Sequence, residues 1–127
     1  MSEEQVSIRT QDGDCPAYVF TPSGSGRHPA VIFYMDGLGI RPTIFEMGER
    51  LANHGYLVLV PDLFYRAGPY GPLDPKELFA SGDVRAAIGH LFASTDNRRA
   101  GGGQSFRAQR RLFPASRRPR RQGAVFR

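Results

Sequence analysis

The sequence predicts an α/β fold, and three observations carry that prediction. Two nearly continuous apolar runs, residues 29–34 and 57–60, have the composition of strands covered on both faces. Between them lies a segment whose apolar residues recur at helical spacing, bounded by Pro42 and Gly55. Strand, helix and strand in that order form a β-α-β unit, which joins parallel strands of one sheet and puts its helix on a sheet face.

Ahead of this unit, Val6 and Ile8 alternate with polar neighbours, Gln11-Asp12-Gly13-Asp14 carries turn chemistry, and residues 17–21 resume the alternation. That pattern predicts a β-hairpin. Residues 22–26 hold too many turn formers for a strand or helix, and the run 29–34 then reads as a strand buried on both faces. After Asp36-Gly37-Leu38-Gly39 and Arg41-Pro42, the residues Ile44, Met47, Gly48 and Leu51 mark one helix face, with Glu46 and Glu49 near its start. His54-Gly55 ends the helix, and His54 is expected to interact with its carbonyl end. Leu57-Val58-Leu59-Val60 is the second buried strand, closed by Pro61-Asp62. Residues 67–75 are too proline-rich for regular structure and read as a loop, a frequent location for a site. Residues 83–92 place Val84, Ala87, Ile88 and Leu91 together and predict a second helix, interrupted by Gly89.

Composition divides the chain near Asn97. The whole sequence of 127 residues has 17 Lys+Arg, 12 Asp+Glu and a formal net charge of +5, yet residues 98–127 carry ten Arg and no acid. Residues 1–97 therefore hold all the acidic groups and a net charge of −5. They are expected to form one partial α/β domain, and residues 98–127, with nine scattered apolar side chains, a disordered arginine-rich tail. So short a foldable segment excludes a complete α/β architecture of about 200–250 residues. One cysteine, Cys15, excludes an intrachain disulfide framework and a cysteine-built zinc site. The N-terminal Met-Ser-Glu-Glu-Gln is acidic where a signal peptide is basic, and no apolar run approaches a membrane span. A cytoplasmic protein without membrane or metal is the expectation.

The order hairpin, strand, Asp-Gly turn, helix, strand and Pro-Asp-Leu-Phe-Tyr-Arg resembles the start of the dienelactone hydrolase family, a branch of the α/β-hydrolase fold. The resemblance rests on Pro29-Ala30-Val31-Ile32 ahead of Asp36-Gly37 and on the stretch from Gly55-Tyr56 to Tyr65-Arg66, and it covers residues 5–97. It implies a hydrolase of carboxylic esters or lactones that uses a Cys or Ser nucleophile, an Asp and a His, with no metal or organic cofactor. By the same resemblance Asp36 takes the place of an acidic residue beside the nucleophile, and the Gly37 N–H that of one oxyanion-hole donor. Arg66 is a candidate partner for a substrate carboxylate. On its own chemistry, Asp36 reads equally well as a turn residue bonded to local backbone.

The nucleophile of such an enzyme sits on a G-x-C-x-G or G-x-S-x-G turn, and no such pentapeptide occurs. The nearest approach, Gly103-Gln104-Ser105-Phe106-Arg107, puts Arg107 in place of the second glycine, so Ser105 is not expected to serve. Cys15, between Asp14 and Pro16, is expected to be an ordinary strand-edge residue. None of His28, His54 and His90 falls where the family's catalytic histidine does. Asp62 reads as structural, and Glu46 with Glu49 as a solvated helix face. With no catalytic residue assigned, the chain as given is expected to be an inactive hydrolase fragment. All ten cations of its tail are arginine, and the only lysine of the chain is Lys76, which suggests a GC-rich coding sequence read out of frame. The rival reading is a nucleic-acid-binding module, in which the tail arginines neutralise phosphates while Phe106, Phe113 and Phe126 stack on bases.

Overall fold

Alternating side chains on either side of a tight turn build the first hairpin of the computed structural model, which describes residues 1–95. Strands β1 (Ser2–Thr10) and β2 (Gly13–Thr21) pair antiparallel, with Val6 opposite Ala17 and Ile8 opposite Cys15. The Thr10 hydroxyl donates to the Gly13 carbonyl at 2.8 Å and accepts from the Asp12 N–H at 3.2 Å, which closes the turn. β1 starts earlier than its apolar residues suggest, because Glu3, Glu4 and Gln5 continue the backbone ladder along β2 while their side chains stay exposed.

The β-α-β unit follows as expected, with β3 (Ala30–Ile32) and β4 (Leu57–Pro61) parallel and α1 (Pro42–Asn53) between them. β4 also pairs antiparallel with β2, so the sheet order is β1-β2-β4-β3. A neighbour on each side buries β4 from Val58 to Pro61. The same composition argument fails for residues 29–34. β3 is only three residues long, pairs with β4 alone among the described residues, leaves Ala30 exposed and only half buries Val31 and Ile32. A strand at the sheet edge has fewer neighbours to cover it, whatever its hydrophobicity.

Side-chain alternation divides the core into two layers. Val58 and Val60 of β4 and Phe20 of β2 face the helices, while Leu59 faces the other way with Ile8, Cys15, Ala17 and Val19. On α1 the buried residues are Ile44, Gly48 and Ala52, spaced by four; Met47, expected on that face, is 47% exposed. Gly48 sets the approach of helix to sheet, since a Cβ there would lie 2.7 Å from the Phe20 ring. The helix ends as its punctuation predicts, with the Arg50 carbonyl 2.7 Å from His54 Nδ1.

At the end of the proline-rich stretch the structure adds a short helix that the sequence reading passed over, α2 (Pro75–Ala80). Its signal was present, since Asp74 accepts from the Lys76 N–H at 2.8 Å, Pro75 opens the helix and Glu77 stands in the first turn. α3 (Val84–Ala93) is capped by Asp83, whose carboxylate accepts from the Ala86 N–H at 2.9 Å. Gly89 does not interrupt it, and Ile88 and Leu91 are its buried residues while Ala87 is exposed. No helix among the described residues is long and apolar enough to cross a membrane.

Candidate functional site

Parallel pairing brings the C-terminal ends of β3 and β4 side by side. In open α/β sheets this is where loops and free backbone donors collect. Two segments leave from there, residues 33–41 and residues 62–74, and each carries an aspartate near its strand, Asp36 and Asp62.

Asp36 sits in the first. Its Oδ1 accepts from the Leu38 N–H at 3.0 Å, its main-chain carbonyl accepts from the Gly39 N–H at 3.1 Å, and both carboxylate oxygens receive the Arg41 guanidinium at 2.5 and 2.6 Å. Arg41 also reaches the Gly39 carbonyl at 3.3 Å. The Arg41 hydrogen bonds hold the Asp36 carboxyl below its ordinary range; partial burial opposes them and the Leu38 N–H helps. Asp36 is thus an ionised, half-exposed carboxylate, both the local turn residue and the partner of a nearly buried arginine.

Gly37 follows, and among the described residues no group accepts its N–H. The Phe92 ring of α3 lies against it, because a Cβ on Gly37 would come within 2.9 Å of Phe92 Cζ. Phe92 in turn meets Phe64 edge to face at 5.7 Å.

Asp62, in the second segment, has the opposite environment. Its Oδ1 accepts from the Tyr70 hydroxyl at 2.8 Å and from the Phe64 N–H at 3.0 Å. Burial pushes its carboxyl above the usual aspartate range, against the pull of those two donors. Burial likewise pushes the Tyr70 phenol up, so it stays a neutral hydroxyl. Tyr70 and Arg41 were both missed by the sequence reading. The short Asp36-to-Arg41 spacing offered a local signal for one, while nothing local marks Tyr70 as the partner of Asp62 and Ile40.

Arg66 points elsewhere. Its Nε donates to Asp12 in the hairpin turn at 2.7 Å, and its guanidinium carbon lies 4.4 Å from the Tyr65 ring centroid. The Tyr65 and Thr10 hydroxyls share a 2.6 Å hydrogen bond, so the turn after β4 is docked on the hairpin. The structure joins Asp36 and Gly37 in one turn and ties Arg66 to another part of the fold.

Cys15 requires a correction. It lies inside β2, between β1 and β4, and is 5% exposed rather than at a strand edge. Burial first, and the Asp62 charge second, push its thiol up to about 11, and its sulfur lies 3.4 Å from the Asp62 carbonyl. Such a thiol is protonated at neutral pH and is no nucleophile. An apolar concavity of about 560 Å³ runs along α3, lined by Val84, Arg85, Ile88, Gly89 and Phe92. Residues of one helix line it, and they supply no convergent set of polar groups. No cluster of three or more potential metal ligands occurs among the described residues. Ser105 and the arginine-rich segment lie outside the described residues.

The sequence pattern of the Dienelactone hydrolase family matches residues 15–113, a stretch that continues past the composition break near Asn97. A Methylorubrum extorquens protein named as a carboxymethylenebutenolidase is 35% identical over 69 residues, covering 54% of this chain and 24% of its own length. Hydrolase pyvD of Aspergillus violaceofuscus is 35% identical over 88 residues, 68% of this chain and 34% of that protein. The crystal structure of a protein described as a dienelactone hydrolase from Klebsiella pneumoniae matches with a TM-score of 0.51 and 28% identity, over 80% of this chain and 45% of that one. The chain spans about a quarter to a third of the length of the curated relatives it matches.

Proposed function

The chain belongs to the dienelactone hydrolase family, and from that membership we propose that its described residues form the N-terminal part of a hydrolase of carboxylic esters or lactones. The observation that carries the reading is the Gly37 N–H, uncommitted among the described residues at the C-terminal end of β3, in a turn held by Asp36 and Arg41. In the proposed reaction a nucleophile attacks the ester carbonyl, negative charge develops on its oxygen, and the Gly37 N–H donates to that oxygen. Asp36 enters as a carboxylate beside the nucleophile, since Arg41 keeps it ionised. Arg66 has no part in this reading, because Asp12 of the hairpin turn engages its Nε and the ring of Tyr65 lies against its guanidinium. The chemistry is acyl transfer to a protein nucleophile and hydrolysis by water, which protein groups supply by themselves.

The test replaces the corresponding segment of the Klebsiella pneumoniae relative with residues 1–95 and follows hydrolysis of an activated ester. Turnover is expected, and in a Phe92→Ala background, which leaves room for the added Cβ, Gly37→Pro deletes the N–H and should lower kcat by about 10²–10³ relative to Phe92→Ala alone. Equal turnover in both proteins would overturn the oxyanion assignment.

For the chain of 127 residues alone the proposal is inactivity, because it contains no G-x-C-x-G or G-x-S-x-G turn. Ester hydrolysis by the purified chain that is lost on Asp36→Ala would refute it. The proposal also places the protein in the cytoplasm and assigns residues 98–127 to a shifted reading frame. Sequencing the gene across codons 90–130 and translating the three forward frames tests that assignment. A strand pattern leading into the nucleophile turn in another frame supports it; none would make the arginine-rich segment genuine, with salt-dependent nucleic-acid binding as its function.

A further inference from the structure

Four backbone N–H groups, those of residues 37 to 40, belong to the turn beyond β3, and their partners differ in origin. Leu38 donates to Asp36 Oδ1 and Gly39 to the Asp36 carbonyl, so the turn satisfies these two itself. Ile40 donates at 3.0 Å to the Tyr70 hydroxyl, thirty residues further along the chain. Gly37 is left, and among the described residues its N–H has no acceptor.

We infer that Tyr70 is the positioning residue that makes Gly37 the available donor of this turn, its hydroxyl taking the Ile40 N–H and its ring fixing Gly39. This deepens the proposed hydrolase reading and rests on it. The donors and acceptors fix the polarity, with Met35 Sδ at 3.9 Å a weaker second acceptor for the Tyr70 proton. The Ile40 N–H only donates, so Tyr70 Oη accepts there and gives its own proton to Asp62 Oδ1 at 2.8 Å. Asp62 is anchored in turn by the Phe64 N–H, directly beyond β4. The chain of bonds therefore runs from the turn beyond β3 to the end of β4, the central partner of β3.

The ring acts by contact. Gly39 has φ +76°, and a Cβ there would lie 2.7 Å from both Tyr70 Cε2 and Oη. Gly39 thus supplies both a conformation that L side chains rarely adopt and the space for the ring. The ring is itself held by Phe64, edge to face at 5.8 Å. Without the hydroxyl, the Ile40 N–H loses its acceptor and becomes a second free donor in the same turn as Gly37.

The experiment uses the 127-residue chain, labelled with ¹⁵N, and reads backbone amides rather than turnover. In Tyr70→Phe, which keeps the ring, hydrogen exchange at Ile40 should accelerate by about tenfold. The Gly37, Leu38 and Ile40 resonances should move with it, while Val19 and Leu59 in the sheet keep their positions and exchange rates. Unchanged resonances and exchange at residues 37–40 would overturn the inference, as would a uniform shift across the sheet, which is the mark of general destabilisation. Should Tyr70→Phe fail to fold, the wild-type chain decides: a protected Tyr70 hydroxyl proton with a nuclear Overhauser contact to the Ile40 amide supports the inference, and its absence overturns it. Because no ester is involved, a chimera without hydrolase activity would refute the functional reading and leave these amide signatures as they are.

Discussion

Asp36 stands four residues past the end of β3 and Asp62 directly past the end of β4, so the two hold comparable places beyond neighbouring parallel strands. Their surroundings make them different chemical groups. Asp36 is half exposed, meets a bidentate guanidinium and is held below the ordinary aspartate range. Asp62 is partly buried, meets a neutral phenol and one backbone N–H, and is pushed above that range. One partner is a cation five residues away; the other is a hydroxyl eight residues away that also reaches back to the first turn. A carboxylate beyond a β-strand has no fixed role; its depth and its nearest donor decide whether it serves as a solvated charge or as an internal tie.

The largest expected difference is in stability. Asp62→Ala removes the acceptor of the Tyr70 hydroxyl and of the Phe64 N–H, both in a partly buried setting, and should cost roughly 2–3 kcal/mol. Asp36→Ala breaks a pair with one exposed partner, while Arg41 keeps the Gly39 carbonyl, so its cost should stay within about 1 kcal/mol. Urea unfolding of both variants at neutral pH measures the contrast. Equal losses would show that depth does not separate the two groups.

Acid titration of stability should then show opposite slopes. Asp36 binds its proton less tightly in the folded state than in the unfolded one. Its contribution is present above the unfolded value near 3.8 and is lost as pH falls through the lower folded value. Asp62 binds its proton more tightly when folded, so between 3.8 and its raised folded value stability declines as pH rises. The slope of each is bounded by about 1.4 kcal/mol per pH unit. Asp36→Asn should flatten the limb below 3.8, and Asp62→Asn the limb above it. Unfolding free energies collected from pH 3 to pH 6 decide this, and a single variant that flattens both limbs would refute the separation.

Much of this arrangement was legible where the signal is local. The hairpin turn, the Pro42-to-Gly55 helix and the β4 run are written in adjacent residues, and each forms at its expected place. The Asp36 turn was legible too, since an aspartate bonding the N–H two residues on needs only its own segment. Burial that depends on neighbours was not. The apolar run 29–34 became a short strand at the edge of the described sheet, Met47 and Ala87 turned outward, and Cys15 became buried opposite Ile8, its sulfur against the Asp62 carbonyl just beyond β4. Partners distant in sequence were the least readable, as with Arg66 and Asp12, 54 residues apart, or Tyr70 and Ile40, 30 apart. The α2 cap shows a different kind of miss, in which proline content hid a helix start that Asp74, Pro75 and Glu77 spell out.

The smallest expected effect isolates what holds Asp36. Arg41→Lys keeps the positive charge but replaces a planar fork with a single ammonium, which cannot meet both carboxylate oxygens in the same geometry. Because the Arg41 hydrogen bonds are the leading cause of the lowered carboxyl, the Asp36 titration should move back toward 3.8 in this variant. Stability should change by about 0.5 kcal/mol, because the charge is kept and the Asp36 end of the pair is half exposed. Carboxyl ¹³C shifts followed against pH read both aspartates in one experiment, and the Asp62 curve should stay in place because its donors are Tyr70 and the Phe64 N–H. An unmoved Asp36 curve would transfer its control from Arg41 to the Leu38 N–H, the donor within its own turn, and Asp36 would then be set by local backbone alone. A shift at Asp62 as well would mean that the two turns titrate as one unit, coupled through Ile40 and Tyr70, the connection that links them in the structure.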